Sequence, residues 1–115
     1  MTVKRLETGP RMSQAVIHHG TVYLAGQVGE GVGVAEQTRD ILAQIDSLLA
    51  RTGSDKSRLL SAQIWLADIS TFAEMNAVWE AWVDPDNTPA RATVEAKLAA
   101  PKYLVEIMVV AAVAG

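Results

Sequence analysis

Two charged residues stand where strand-like sequence is otherwise apolar. Glu106 is the single charge between Leu104 and Val113, and Arg91 opens a strand-like run directly after Pro89-Ala90. An ionised carboxylate buried without a partner costs several kcal/mol. Glu106 must therefore be paired, protonated or facing a cavity. One reading makes it a general acid or base in a water-poor site; another makes it half of a structural ion pair. The planar guanidinium of Arg91 suits two-pronged capture of a carboxylate or phosphate. It reads equally as a surface arginine at the start of a strand. Asn76 follows Phe72 by four residues, at the margin of an apolar helix face. An amide there needs a partner, either to brace a loop or to orient a site.

Other patterns carry less chemistry. Gly29-Glu30-Gly31-Val32-Gly33 lies between a strand and a helix, yet it is neither G-x-G-x-x-G nor G-K-[ST]. Glu30 would also repel phosphate. His18 and His19 are neighbours, so on a strand they point to opposite faces and do not share a metal. Trp65, Trp79 and Trp82 read as core or interface residues. The absence of cysteine excludes disulfides, thiolate catalysis and sulfur-bound zinc. No cofactor or metal is expected.

The elements that must position these residues follow from periodicity. Val3–Leu6 reads as a short strand. The runs 15–19 and 21–25 read as a hairpin turning at Gly20. Val34, Thr38, Ile41, Leu42, Ile45, Leu48 and Leu49 share one helical face, and Gly53 is a natural stop. A strand is expected over 59–67. A second helix follows Asp68-Ile69-Ser70-Thr71, with Thr71 and Glu74 as a capping box and Phe72, Met75, Trp79, Trp82 and Val83 buried. In the run 91–98, Arg91, Thr93, Glu95 and Lys97 face one way. The run 104–113 is apolar on both faces apart from Glu106, as in a central strand covered twice.

The order βββ-α-β-α-ββ gives an α+β fold, with two helices able to cover one face of a single sheet. The other face then needs a second copy of the chain to cover it. The 115 residues suit one domain spanning 1–115. The net charge of −3 offers no reason to seek nucleic acid or an anionic membrane. No apolar run is long enough to span a bilayer and the first residues lack a signal-like apolar region. A cytoplasmic location is expected.

The segments Pro89-Ala90-Arg91-Ala92-Thr93-Val94-Glu95 and Pro101-Lys102-Tyr103-Leu104-Val105-Glu106-Ile107 resemble the C-terminal signature of the Rid (YjgF/RidA) family. Ser13-Gln14-Ala15-Val16, Ala25-Gly26-Gln27-Val28 and the stretch 68–82 are similar to further family motifs, in the same order along nearly the whole chain. The wording is nearest the YoaB-type branch. The resemblance implies a chorismate-mutase-like fold and a homotrimer with clefts between subunits. It implies an enamine/imine deaminase that hydrolyses reactive 2-imino acids to 2-keto acids and ammonia. Arg91 would grip the substrate carboxylate and Glu106 would handle the attacking water. Thr93 stands where archetypal members carry cysteine, and Asn76 matches a helix asparagine near the cleft.

The departures fall in the same expected pocket. Met12 replaces a tyrosine common in the family, Ala25 replaces the serine of S-G-Q, and the loop after Gln27 is shorter. Both substitutions remove hydroxyls. An alternative reading is a non-catalytic protein that binds small carboxylates such as 2-keto acids, keeping Arg91 as anchor and making Glu106 structural. RNA cleavage, attributed to some family members, fits poorly with an acidic chain lacking a basic stripe.

Overall fold

The switches in hydrophobic period are realised as six strands and two helices in a computed structural model that describes residues 2–114. The strands are β1 (Lys4–Leu6), β2 (Ala15–His18), β3 (Thr21–Leu24), β4 (Leu59–Leu66), β5 (Ala90–Glu95) and β6 (Val105–Ala112). The helices are α1 (Val34–Arg51) and α2 (Phe72–Trp82). Strands β2 and β3 form the expected hairpin. Its two turn residues, His19 (φ 51°) and Gly20 (φ 76°), are both left-handed, as the two-residue turn that matches strand twist requires.

The apolar stripe of α1 is buried throughout, with Ile41, Ile45 and Leu49 fully inaccessible. Each such side chain contributes roughly 1.5–3 kcal/mol by leaving water. The helix ends at Arg51, and Gly53 follows in the left-handed conformation (φ 79°). Two polar residues lie in the stripe. Thr38 Oγ1 donates to the Val34 carbonyl one turn back (2.7 Å). Gln37 is buried, its Nε2 donating to the Gly31 and Lys102 carbonyls (3.0 and 2.9 Å) and its Oε1 accepting from Leu104 N–H (2.9 Å). The amide thereby ties the glycine loop to the segment that leads into β6.

The start of α2 departs from expectation. Thr71 and Glu74 form no capping box. Thr71 Oγ1 donates back to the Asp68 carbonyl (2.7 Å), and Asp68 Oδ1 accepts from Ser70 N–H (2.9 Å) in the short turn before the helix. Glu74 Oε2 instead accepts from Ala35 N–H (3.2 Å) in the first turn of α1. That end of α1 begins at Gly33, which has no side chain to cap it. Burial along α2 is also narrower than its sequence implies. Met75 and Trp79 are buried, Trp82 is half-buried, and Phe72 is 42 % exposed.

The sheet order is β1-β2-β3-β6-β4-β5. Strand β6 thus lies between β3 and β4, the interior place its apolar run requires, and pairs antiparallel with both. Strand β5 is an edge strand, parallel to β4 and reached through α2. It stops at Glu95, short of the expected Leu98, and Lys97 joins no strand face. Val22, Ile64, Val105, Ile107 and Val109 face the helices and are buried. On the opposite face Tyr23, Val94 and Met108 are exposed beside half-buried Trp65 and Val110. No helix among the described residues is long and apolar enough to cross a membrane.

Candidate functional site

Arg91 sits at the start of β5, paired in register with Ala62 of β4. Ala62 faces the core, so Arg91 lies on the helix side of the sheet, under α2. Its Nη1 donates to Asn76 Oδ1 at 2.7 Å. Its Cζ lies 5.4 Å from the Trp79 ring centroid and 5.8 Å from that of Phe72. Residues 72, 76 and 79 recur at helical spacing, so one face of α2 presents ring, amide and ring to one guanidinium. Burial lowers the Arg91 pKa from its ordinary value, and Glu80, one turn beyond Asn76, partly offsets this. An arginine stays protonated regardless. Among the described residues no carboxylate comes within ion-pair distance of Arg91; the three ion pairs are Arg51–Glu7, Arg58–Asp55 and Lys102–Glu30. Arg91 is a fixed cation with nitrogen donors to spare.

Glu106 is next to the first residue of β6, opposite Trp65 of β4, and belongs to the open face. Its backbone neighbourhood is pinned twice. Gln37 holds Leu104 N–H, and Gln27 exchanges two backbone hydrogen bonds with Ile107 (2.8 and 3.1 Å). The carboxylate lies against the Gly26 backbone. A Cβ at position 26 would overlap Glu106 Oε2 and sit 3.1 Å from its Cδ. Glycine at position 26 thus leaves the room that the Glu106 carboxylate occupies. Among the described residues no group bonds this carboxylate or pairs with it.

Gly26→Ala is expected to leave stability within about 1 kcal/mol, because a flexible side-chain tip can swing away. The carboxylate would then be displaced. If Glu106 acts on substrate, kcat should fall at least about tenfold with little change in KM, since displacements near 1 Å already cost heavily in catalysis. Unchanged kcat in steady-state assays would separate Glu106 from the chemistry.

Within one chain Arg91 and Glu106 do not meet. Arg91 pairs with Ala62, and Ala62 pairs with Val109 on β6, three residues from Glu106. Two strand spacings and three residues of rise put their Cα atoms about 14 Å apart. The odd offset sends the side chains to opposite faces of the sheet. Asn76 belongs with Arg91. Thr93 shares the Arg91 face two residues on, but its Oγ1 is buried without a hydrogen-bond partner. A water-sized group does not reach it, so direct ligand contact through that oxygen would need its cover to move. Ala25 belongs with Glu106: it precedes Gly26, and its N–H bonds the Gln14 carbonyl (2.9 Å). Met12, two residues before Gln14, is 53 % exposed.

Sequence reasoning missed the rings of Phe72 and Trp79 as supports of Arg91, and missed Gly26, Gln27 and Gln37 as supports of Glu106. A signal existed for Gln37, which stands three residues from Val34 and four from Ile41, inside the apolar stripe. The contact of Gly26 with Glu106 joins positions far apart in the chain and has no local sign.

A family model described as Endoribonuclease L-PSP matches residues 2–113. The chain is 49 % identical over 115 residues to the RutC family protein YoaB of Escherichia coli, covering 98 % of this chain and 100 % of that one. It is 47 % identical over 114 residues to a RutC family protein of Haemophilus influenzae, covering 96 % of this chain and 98 % of that protein. Its structure is similar to the crystal structure of a YjgF family member from Neisseria meningitidis. The TM-score is 0.98 at 49 % identity, over 100 % of this chain and 98 % of that one.

Proposed function

The chain belongs to the RutC/YjgF (Rid) family, and from that premise we propose that it is an imine deaminase whose active clefts are shared between subunits. The observation that carries the reading is the pair of charged groups on opposite faces of the sheet, each without an ionic partner among the described residues. A guanidinium braced by Asn76 and two rings is prepared for an anion, and a carboxylate with open valences is prepared for a proton. They can serve one ligand when the helix-side edge of one chain approaches the open face of another. The exposed Tyr23, Val94 and Met108 give that face an apolar reason to be covered. A homotrimer satisfies both demands, with three equivalent clefts.

In such a cleft the spare nitrogens of Arg91 take the substrate carboxylate and fix the C=N carbon beside a water held by Glu106. Water oxygen bonds to C2 as Glu106 accepts one of its protons, and Glu106 passes that proton to the imine nitrogen, leaving a hydroxyl and an amine on one carbon. The hydroxyl proton then passes by way of Glu106 to the amine nitrogen as the C–N bond breaks, so that ammonia leaves and C2 becomes the carbonyl of a 2-keto acid. Positioning and general-base assistance supply the acceleration. Thr93, Met12 and Ala25 complete the proposed surroundings, Thr93 beside the anchor and the other two beside the base. The protein is expected to act in the cytoplasm as one domain over 1–115.

The test couples the protein to a serine or threonine dehydratase, with semicarbazide trapping imine that escapes hydrolysis. Keto-acid release should exceed that in buffer. Sedimentation should show a trimer at micromolar concentration; a stable monomer there would exclude the shared cleft. The loss of hydroxyls at Met12 and Ala25 favours a second reading, a binding protein for 2-keto acids. Calorimetric binding of 2-ketobutyrate without turnover would establish it. The family model's endoribonuclease description finds little support in a chain of net charge −3.

A further inference from the structure

We propose that this site, on the deaminase reading above, selects 2-imino acids with extended apolar side chains, and that Phe72 is the residue that reads them. The two rings beside Arg91 differ in access. Trp79 is 6 % exposed and forms the floor, whereas Phe72 is 42 % exposed and forms the rim. Asn76 Oδ1 already occupies Nη1 of the guanidinium, so a ligand carboxylate must use the remaining nitrogens. With Trp79 covered, the aromatic surface that α2 leaves open beside the anchor is Phe72, whose centroid is 5.8 Å from Arg91 Cζ.

Phe72 lies on the helix side of the sheet beside Arg91, the edge that approaches the open face of a neighbouring chain in the proposed cleft. Its exposed ring therefore forms a wall of that cleft. An aromatic ring at hydrocarbon distance from a carboxylate anchor rewards a side chain of several carbons and gives nothing to a methyl group. On the Glu106 side, Ala25, next to Gly26, offers no hydroxyl. A polar substrate side chain would lose its water there without gaining a partner. The nearby charge is Glu80, which would favour a cationic side chain, and that is the rival outcome.

An amino-acid oxidase acting on alanine, leucine, phenylalanine or arginine supplies the imines in one assay. The wild type is expected to hydrolyse the leucine- and phenylalanine-derived imines with kcat/KM at least about tenfold above the alanine-derived one, the discrimination that a few methylenes give in an apolar pocket. Phe72→Ala should collapse that ratio to within about threefold, and Phe72→Leu should keep most of it for the leucine-derived imine. A merely structural role would lower all rates together and leave the ratio in place. A flat wild-type profile, a preference for the arginine-derived imine, or a ratio unchanged in Phe72→Ala overturns the proposal. Calorimetry with pyruvate and 4-methyl-2-oxopentanoate separates this inference from the deaminase reading. If no imine is hydrolysed but the branched keto acid binds more tightly in a Phe72-dependent way, the catalytic reading falls and the selectivity stands. Equal affinities for the two keto acids would remove the selectivity as well.

Discussion

Arg91→Ala should lower kcat/KM for imine hydrolysis by at least about a hundredfold while the protein stays folded. Two charge-assisted hydrogen bonds to a carboxylate, at roughly 1.5–3 kcal/mol each, set that scale. The stability cost is smaller because Arg91 has no ion pair to break among the described residues. Its loss removes the bond to Asn76 and the packing on Trp79, worth about 1–2 kcal/mol together. Arg91→Lys keeps the charge but not the planar fork. An ammonium cannot hold Asn76 and a carboxylate in the same plane, so lysine should recover less than about a tenth of the activity. Circular dichroism and thermal melting report the fold, and keto-acid release reports the anchor. Equal rates for Arg91→Ala and wild type would show that the guanidinium serves packing alone.

The parts of this architecture that were legible from sequence are those set by local period and local turns. Val34 to Leu49 announced α1 because buried residues repeat at three and four, and Gly53 ended it because only a residue free of Cβ takes φ near 79° comfortably there. The doubly apolar run around Glu106 required an interior strand, and β6 is one. Strand order was different. That β6 inserts between β3 and β4, and that β5 runs parallel to β4, depends on pairings between distant segments that leave no mark in any short window. The capping box failed for a related reason. Glu74 had a better use 39 residues away, at an α1 terminus that Gly33 leaves bare. The candidate site was legible as residue types, an arginine and a glutamate in apolar surroundings. Asn76 was legible as an amide in need of a partner, but its pairing with Arg91 and the place of Gly26 under Glu106 were not, because both are contacts between elements.

A cleft shared between chains, as proposed, sets a quantitative expectation for mixed assemblies. Arg91→Ala and Glu106→Gln should each be nearly inactive alone, the second because the amide cannot accept a proton from water. When the two variants are unfolded together at equal amounts and reassembled, a cleft is intact only where a Glu106→Gln chain supplies the arginine and an Arg91→Ala chain supplies the glutamate. Random assembly of a cyclic oligomer makes about a quarter of the clefts whole. The mixture should therefore recover about a quarter of wild-type activity per chain, far above either parent. Were both residues to act from the same chain, every cleft would carry one lesion and the mixture would stay at the parental level. Differently tagged variants that co-purify prove that the chains have exchanged, so a null result in such material would refute the shared cleft rather than reflect failed mixing. The distance of about 14 Å across two strands, on opposite faces of one sheet, is why recovery is the expected outcome.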